Sequence, residues 1–300
     1  MEAWIPIVIA AAFLQNLRSA LQKHLKDRVS TAGATFARFG FGFPAAIVYL
    51  AGLTWIGGYD LPRLTGAFGF FVLLGGSAQI FATALLVALF GLRNFAVGTA
   101  YSKTETLQTA LIGAVVLAEA PTALGWLAIL VGLFGILLLS FGKGQVNLRA
   151  LLAGWTHKSA LMGLGAGALF GISGVAYRSA SLSLDHQPVF VSAAVTLTSV
   201  IIGQSLAMML YLHWRKPGEL TKVVKEWRVA LPIGLSGVTA SAGWFTALAL
   251  QNAAYVRALG QVELLFTYIA SLFIFKEKIT RLEYLGSLLI LASILIILQT

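Results

Sequence analysis

Polar residues punctuate the chain at intervals of roughly 25 to 30 positions, and the apolar runs between them are near the roughly 20 residues a helix needs to cross a bilayer. Ten such runs are predicted, at about Trp4 to Leu25, Thr31 to Leu53, Ala67 to Phe90, Ala96 to Leu117, Ala123 to Phe141, Ser159 to Leu182, Pro188 to Leu212, Val229 to Leu250, Val256 to Phe275 and Arg281 to Leu298. Each must be helical, because an open strand would leave backbone donors and acceptors unpaired in hydrocarbon. Local signals support several ends. Thr280 followed by Glu283 is a capping box opening the last run, and Pro121 with Thr122 opens the fifth. Gly163, Gly167 and Gly171 recur every four residues in the sixth, a smooth face that lets another helix come close. The connection from His213 to Arg228 contains ELTKVVKEWR, with Leu220, Val223, Val224 and Trp227 on one helical face. A short helix on the membrane surface, anchored by Trp227, is expected there.

Composition makes the class definite. Of 300 residues 58% are hydrophobic and 11% charged, and the mean hydropathy is +0.86, far from soluble domains and typical of multi-span membrane proteins. The expected fold is an all-α polytopic membrane protein of ten transmembrane helices. The net charge of +10 sits mostly in loops, where it orients spans, and no nucleic-acid partner is inferred. There is no cysteine, and His24, His157, His186 and His213 lack ligand spacing, so neither a metal nor a cofactor is expected. No GxxxxGK[ST] run supplies an ATP site and no HExxH occurs. An intramembrane enzyme would also need a histidine at a span centre or neighbouring aspartates, and these are missing from the sequence. Nothing resembles the repeated filter segment of a channel. The first run lacks the basic leader of a secretory signal and reads as a retained span.

A shift of 158 residues superposes Glu105 on Glu263, Glu119 on Glu277, Thr122 on Thr280 and Asn94 on Asn252, with about 19 identities over the 65 positions from Leu73 to Leu137. Arg18-Ser19-Ala20 recurs as Arg178-Ser179-Ala180 at a nearly equal shift. The chain thus reads as two five-helix copies, 1–143 and 159–300, joined by a linker over 144–158. Five is odd, so the second copy enters the membrane from the opposite side, the inverted-topology repeat of many secondary carriers.

These residues resemble the drug/metabolite transporter superfamily in its EamA family. The resemblance rests on Glu105, Glu119 and AEAPTALGWLAILVGLFGILLL in the first copy, and on Glu263, Glu277 and KEKITRLEYLGSLLILASILIIL in the second. Many members carry a proline directly after the earlier glutamate, where this chain has Thr106 and Leu264. The resemblance implies a ten-helix carrier that exports small metabolites, often amino acids or related compounds, by alternating access.

The residues themselves point to transport chemistry. Glu105 and Glu263 lie eight to ten residues into their runs, and a charge at such depth costs about 2.5–3.5 kcal/mol, so it marks a buried partner or a function. Either carboxylate could cycle a proton, making protons the candidate coupling ion, or could hold a substrate ammonium. The competing reading is permanent pairing with an intramembrane cation among Arg18, Arg38, Lys103, Arg178 and Arg257. Lys103, two residues from Glu105, points to roughly the opposite face of its helix. Arg18 and Arg178 are the expected partners, or else ligands of a substrate carboxylate. Tyr101, Gln108, Trp244 and Tyr268 are candidates to line the path. Glu119, Glu277, Thr280 and Glu283, at span ends, are expected to be structural polar groups.

About fifteen Lys and Arg residues flank the loops after the odd-numbered spans, which by the positive-inside bias puts both termini outside an inner (plasma) membrane. Relatives are usually drawn with both ends in the cytoplasm. The expected activity is secondary-active export of a small amphipathic molecule by a protein embedded in the lipid bilayer. The alternative is a lipid or lipid-precursor flippase, with Arg18, Arg38 and Arg178 receiving a phosphate head.

Overall fold

A computed structural model describes residues 2–89, 100–142, 158–184, 188–273 and 280–300. Glu277, Asn94, His157, His186 and most of the 144–158 linker lie outside these residues. Among the described residues all regular structure is helical: α1 (Trp4–Leu25), α2 (Thr31–Gly40), α3 (Phe43–Ala51), α4 (Gly66–Leu89), α5 (Glu105–Val116), α6 (Ala123–Gly142), α7 (Lys158–Leu182), α8 (Val189–Arg215), α9 (Glu219–Lys225), α10 (Trp227–Leu250), α11 (Ala253–Gly260), α12 (Val262–Phe273) and α13 (Arg281–Ile297). Seven segments, from Trp4–Gln22 to Trp227–Leu250, are long and apolar enough to cross a membrane. Large side chains along them, among them Phe13, Val48, Leu73, Phe81 and Phe134, are exposed. An exposed apolar belt of that kind is suited to lipid and not to water.

Three predicted spans differ from the continuous rods that hydropathy suggests. The second bends between α2 and α3, because Pro44 in the first turn of α3 cannot donate to the preceding turn. It then runs on through a π-helical turn, Gly52–Ile56. The fourth and ninth are each interrupted. Residues 100–102 are helical, Lys103 N–H then bonds Ala100 O at 3.2 Å, and α5 begins at Glu105. In the ninth, Gln261 N–H bonds Ala258 O at 3.2 Å between α11 and α12. These are the same i→i−3 turn at positions 158 apart. Thr104 and Gln261 have ψ of −2° and −9°, values that tighten a helix without reversing it.

The chain divides into two compact bodies, 1–77 with 176–250, and 78–175 with 251–300. This division in space differs from the division of the sequence into copies, since each body takes helices from both halves of the chain.

In the first body, Leu25, Phe36, Phe39, Leu212, Val223 and Ile233 form one apolar cluster, and Phe68, Ala180, Leu184, Val191 and Val195 another. Gly234 of α10 fits against the α2–α3 bend, where an added Cβ would stand 2.5 Å from the Phe41 carbonyl carbon. The short α9 has Val223 buried in the first cluster, while Val224 and Trp227 face outward and Trp227 opens α10. The face expected for ELTKVVKEWR is therefore split, because Val223 is drawn inward. Beside it, Glu219 accepts from Ser30 N–H, and Ser30 in turn caps α2 by accepting from Gly33 N–H at 3.2 Å.

In the second body, α6 and α13 approach to backbone contact. An added Cβ would lie 2.8 Å from Gly286 O at Gly135, and 2.7 Å from Gly135 O at Gly286. Farther along, Ser293 Oγ donates to Ala128 O at 2.7 Å. Under the 158-residue shift Gly135 corresponds to Ser293 and Ala128 to Gly286, so these two contacts are one contact with the copies exchanged. Thr280 and Glu283 form a reciprocal capping box at the start of α13, and at the equivalent place Thr122 Oγ1 accepts from Gly125 N–H at 3.1 Å. The end of α5 is closed by Gly113 O, which accepts from the N–H groups of Leu117 and Glu119 around Ala118 at φ 56°.

Candidate functional site

The interruptions of the fourth and ninth spans gather the polar groups of the second body. A helix that is interrupted must find other partners for its free backbone groups, and threonines lie at and beside the first break. Thr104 Oγ1 donates to Tyr101 O at 2.7 Å, Gln108 Nε2 donates to Thr104 Oγ1 at 2.6 Å, and Thr109 Oγ1 donates to Glu105 O at 2.8 Å. Gln261, at the second break, donates from Nε2 to Thr106 Oγ1 at 2.8 Å and so ties the two breaks together.

The charges at the breaks are crossed. Glu105 of the first break lies 3.2 Å from Arg257, which precedes the second. Glu263 of the second lies 3.9 Å from Lys103, which sits in the first. Glu105 and Glu263 each occupy the first turn of the helix that restarts, where the macrodipole favours an anion. The side chains of Glu105, Arg257 and Glu263 are 21–25% exposed, which leaves these pairs neither sealed nor fully solvated. Glu105 Oε1 touches Arg257 without a hydrogen bond of good geometry.

Glycines of α7 let this region close. An added Cβ at Gly167 would stand 3.0 Å from Ser102 O and 3.3 Å from Glu105 N, one at Gly171 3.1 Å from Thr109 Oγ1, and one at Gly174 3.3 Å from Arg257 Nε. Gly167 and Gly171 were legible from their spacing. The third member of this face is Gly174, which the four-residue spacing misses.

The other candidates are distributed as follows. Tyr101 packs with Ala100, Leu137 and Phe141 beside the first break, Gln108 bonds Thr104, and Tyr268 is half-buried on α12. Glu119 contributes its backbone carbonyl to Asn252 Nδ2 at 2.7 Å, while Asn252 Oδ1 caps α11 by accepting from Ala254 N–H. Arg18, Arg178 and Trp244 belong to the first body. Arg178 donates to Leu248 O at 2.7 Å and Ala249 O at 3.4 Å, the last-turn carbonyls of α10, and both arginines are buried. Lys103 is the functional candidate that helix-face counting set aside. Pointing away from its own Glu105 is what directs it to Glu263.

Residues 157–299 match the model of the EamA-like transporter family. No match is found among curated proteins. A solved structure titled only "Crystal structure of protein" is similar over 98% of each chain, with a TM-score of 0.74 and 16% identity, a likeness of fold alone.

Proposed function

We propose that the chain is a secondary-active carrier exporting a small amphipathic metabolite by alternating access, a reading supported by the match of residues 157–299 to the EamA-like transporter family model. The carrier has ten spans in two inverted five-span copies. The constant shift of 158 residues and the exchanged contacts of Gly135 with Gly286 and Ala128 with Ser293 support that reading. Its termini face outward by the charge asymmetry of the loops.

The observation that carries the proposal is the crossed pairing Glu105–Arg257 and Lys103–Glu263 at two matched helix breaks. A permanent structural pair gains most when buried and fully hydrogen-bonded. These pairs are partly exposed, and the Lys103–Glu263 contact is loose, so a competitor can displace either cation. A substrate ammonium takes the carboxylate by replacing Arg257 or Lys103. A proton does the same by neutralising it. Loss of the pair frees the restarted helices to move, and release of the competitor lets the pair form again, which couples occupancy to conformation.

The test is growth of a host expressing the chain against toxic amino acids and metabolite analogues, comparing wild type with Glu105→Gln and Glu263→Gln at equal membrane abundance. Protection against one compound class that a Gln variant abolishes is the expected result. Protection that survives both substitutions would assign the glutamates a purely structural role.

A further inference from the structure

The first body carries most of its exposed charge at one end. There the last turns of α1 and α8, the starts of α2 and α10 and the whole of α9 meet around Leu25, Leu212, Val223 and Ala230. Arg28 pairs with Glu226 at 2.8 Å and Lys222 with Glu219 at 3.7 Å. Lys26, Arg215, Lys216 and Lys225 are exposed and make no ion pair among the described residues. With Glu219 and Glu226 engaged, the described carboxylate left to balance these four cations is Asp27. At the opposite end, beside the start of α1 and after α3, the described charges are Glu2, Asp60 and Arg63, which nearly cancel.

Large apolar side chains stand among the cations of the basic end. Trp214 is 74% exposed and Trp227 52%, Val224 is exposed between them in sequence, and the Arg228 guanidinium lies over the Trp227 ring at 5.8 Å. The outward face of α9 is fixed from below. Val223 is fully buried in the cluster and Glu219 accepts from Ser30 N–H, so positions 222, 224 and 225 are turned away from the body. Exposed indole rings are poorly matched to bulk water, and exposed ammonium groups to hydrocarbon. Together they fit the headgroup level of a bilayer, where the rings rest at the acyl boundary and the cations meet lipid phosphates. The surplus positive charge also chooses among lipids, because it attracts a headgroup of net negative charge and gains little from a zwitterionic one. We propose that this end of the first body is a docking surface for anionic phospholipid headgroups, with Lys216 and Lys225 among its cations and Trp214 and Trp227 as its anchors. It shares no residue with the ion pairs at the helix breaks and does not depend on what the chain carries.

The experiment is thermal unfolding of the purified full chain in neutral detergent, titrated with phosphatidylglycerol, with phosphatidylcholine of the same acyl chains, or with inorganic phosphate. Phosphatidylglycerol should raise the midpoint saturably, and less so as ionic strength rises, while the other two leave it near its starting value. Lys216→Gln combined with Lys225→Gln should raise the half-saturating phosphatidylglycerol concentration about tenfold or more, and the corresponding double Arg variant, which keeps the charge, should respond as wild type. Arg63→Gln, at the opposite end, is the control expected to keep the full response. Both lysines are exposed, so the lipid-free midpoints of these variants should match wild type. Equal shifts with phosphatidylglycerol and phosphatidylcholine, an equal shift with inorganic phosphate at matched concentration, an unchanged response in the double Gln variant, or an equal loss in Arg63→Gln would overturn the docking surface. Lipid binding is read here without transport, so the outcome is independent of whether any host is protected.

Discussion

In the second body Arg257 faces Glu105 and Lys103 faces Glu263. In the first, Arg178 is held by the carbonyls of Leu248 and Ala249, and Arg18 and Arg38 share the flank of Gly237. An arginine that completes a helix end has one arrangement, because moving it would orphan backbone acceptors. A side-chain ion pair at a partly exposed helix break has at least two, closed or replaced by a competitor. On the proposed reading, charge is built into the scaffold in one place and kept exchangeable in another, and substitutions should separate the two.

The largest expected effect is functional. Glu105→Gln or Glu263→Gln should reduce host protection at least tenfold at matched abundance, while Arg178→Met should leave the range of compounds unchanged. Next comes Gly167→Val. Its side chain would enter the space held by Ser102 O and Glu105 N, so a stability loss of about 1–3 kcal/mol together with reduced transport is expected, read as the thermal midpoint and the protection assay. Arg178→Met should cost about 1–3 kcal/mol by leaving two carbonyls unsatisfied, seen as a lower midpoint.

The smallest effect is a pH dependence confined to the first body. The Glu219 carboxyl is held below its ordinary range chiefly by hydrogen bonding to Ser30, with Lys222 and Lys216 adding attraction and desolvation opposing. A depressed folded value means that the stabilisation is present above the unfolded carboxylate value of about 4.3 and is lost as pH falls through the folded value. Glu219→Gln should lower the midpoint modestly at neutral pH and flatten its acid dependence, whereas Glu283→Gln, on the α13 capping box, should lower it without that Ser30-linked profile.

Much of this was legible in the sequence, and the gaps have physical causes. Hydropathy located the seven described helices that are long and apolar enough to cross a membrane, and the Thr280–Glu283 cap was visible because its spacing is fixed by the helix. The interruptions of the fourth and ninth spans were not, since a tight turn at ψ near 0° needs neither proline nor a polar gap. The polar run Ser102-Lys103-Thr104 was the available signal for the first. Partner choice was harder. Counting on one helix turned Lys103 away from Glu105, but which distant side chain it meets depends on how helices cross. The repeat gave no clue to it, because the 158-residue shift carries Lys103 onto Gln261 and Arg257 onto Thr99, so neither cation has a charged counterpart in the other copy. Gly174 escaped for a similar reason, lying on the packed face at a spacing of three.

The most direct test of the central claim is the charge-reversed pair Glu105→Arg with Arg257→Glu, assayed for thermal stability and host protection beside each single substitution. If the pair is exchanged during transport, reversal restores stability relative to the single variants while protection stays lost, because the carboxylate no longer stands at the start of α5. Recovery of protection together with stability would contradict the account and leave Glu105–Arg257 as a structural pair.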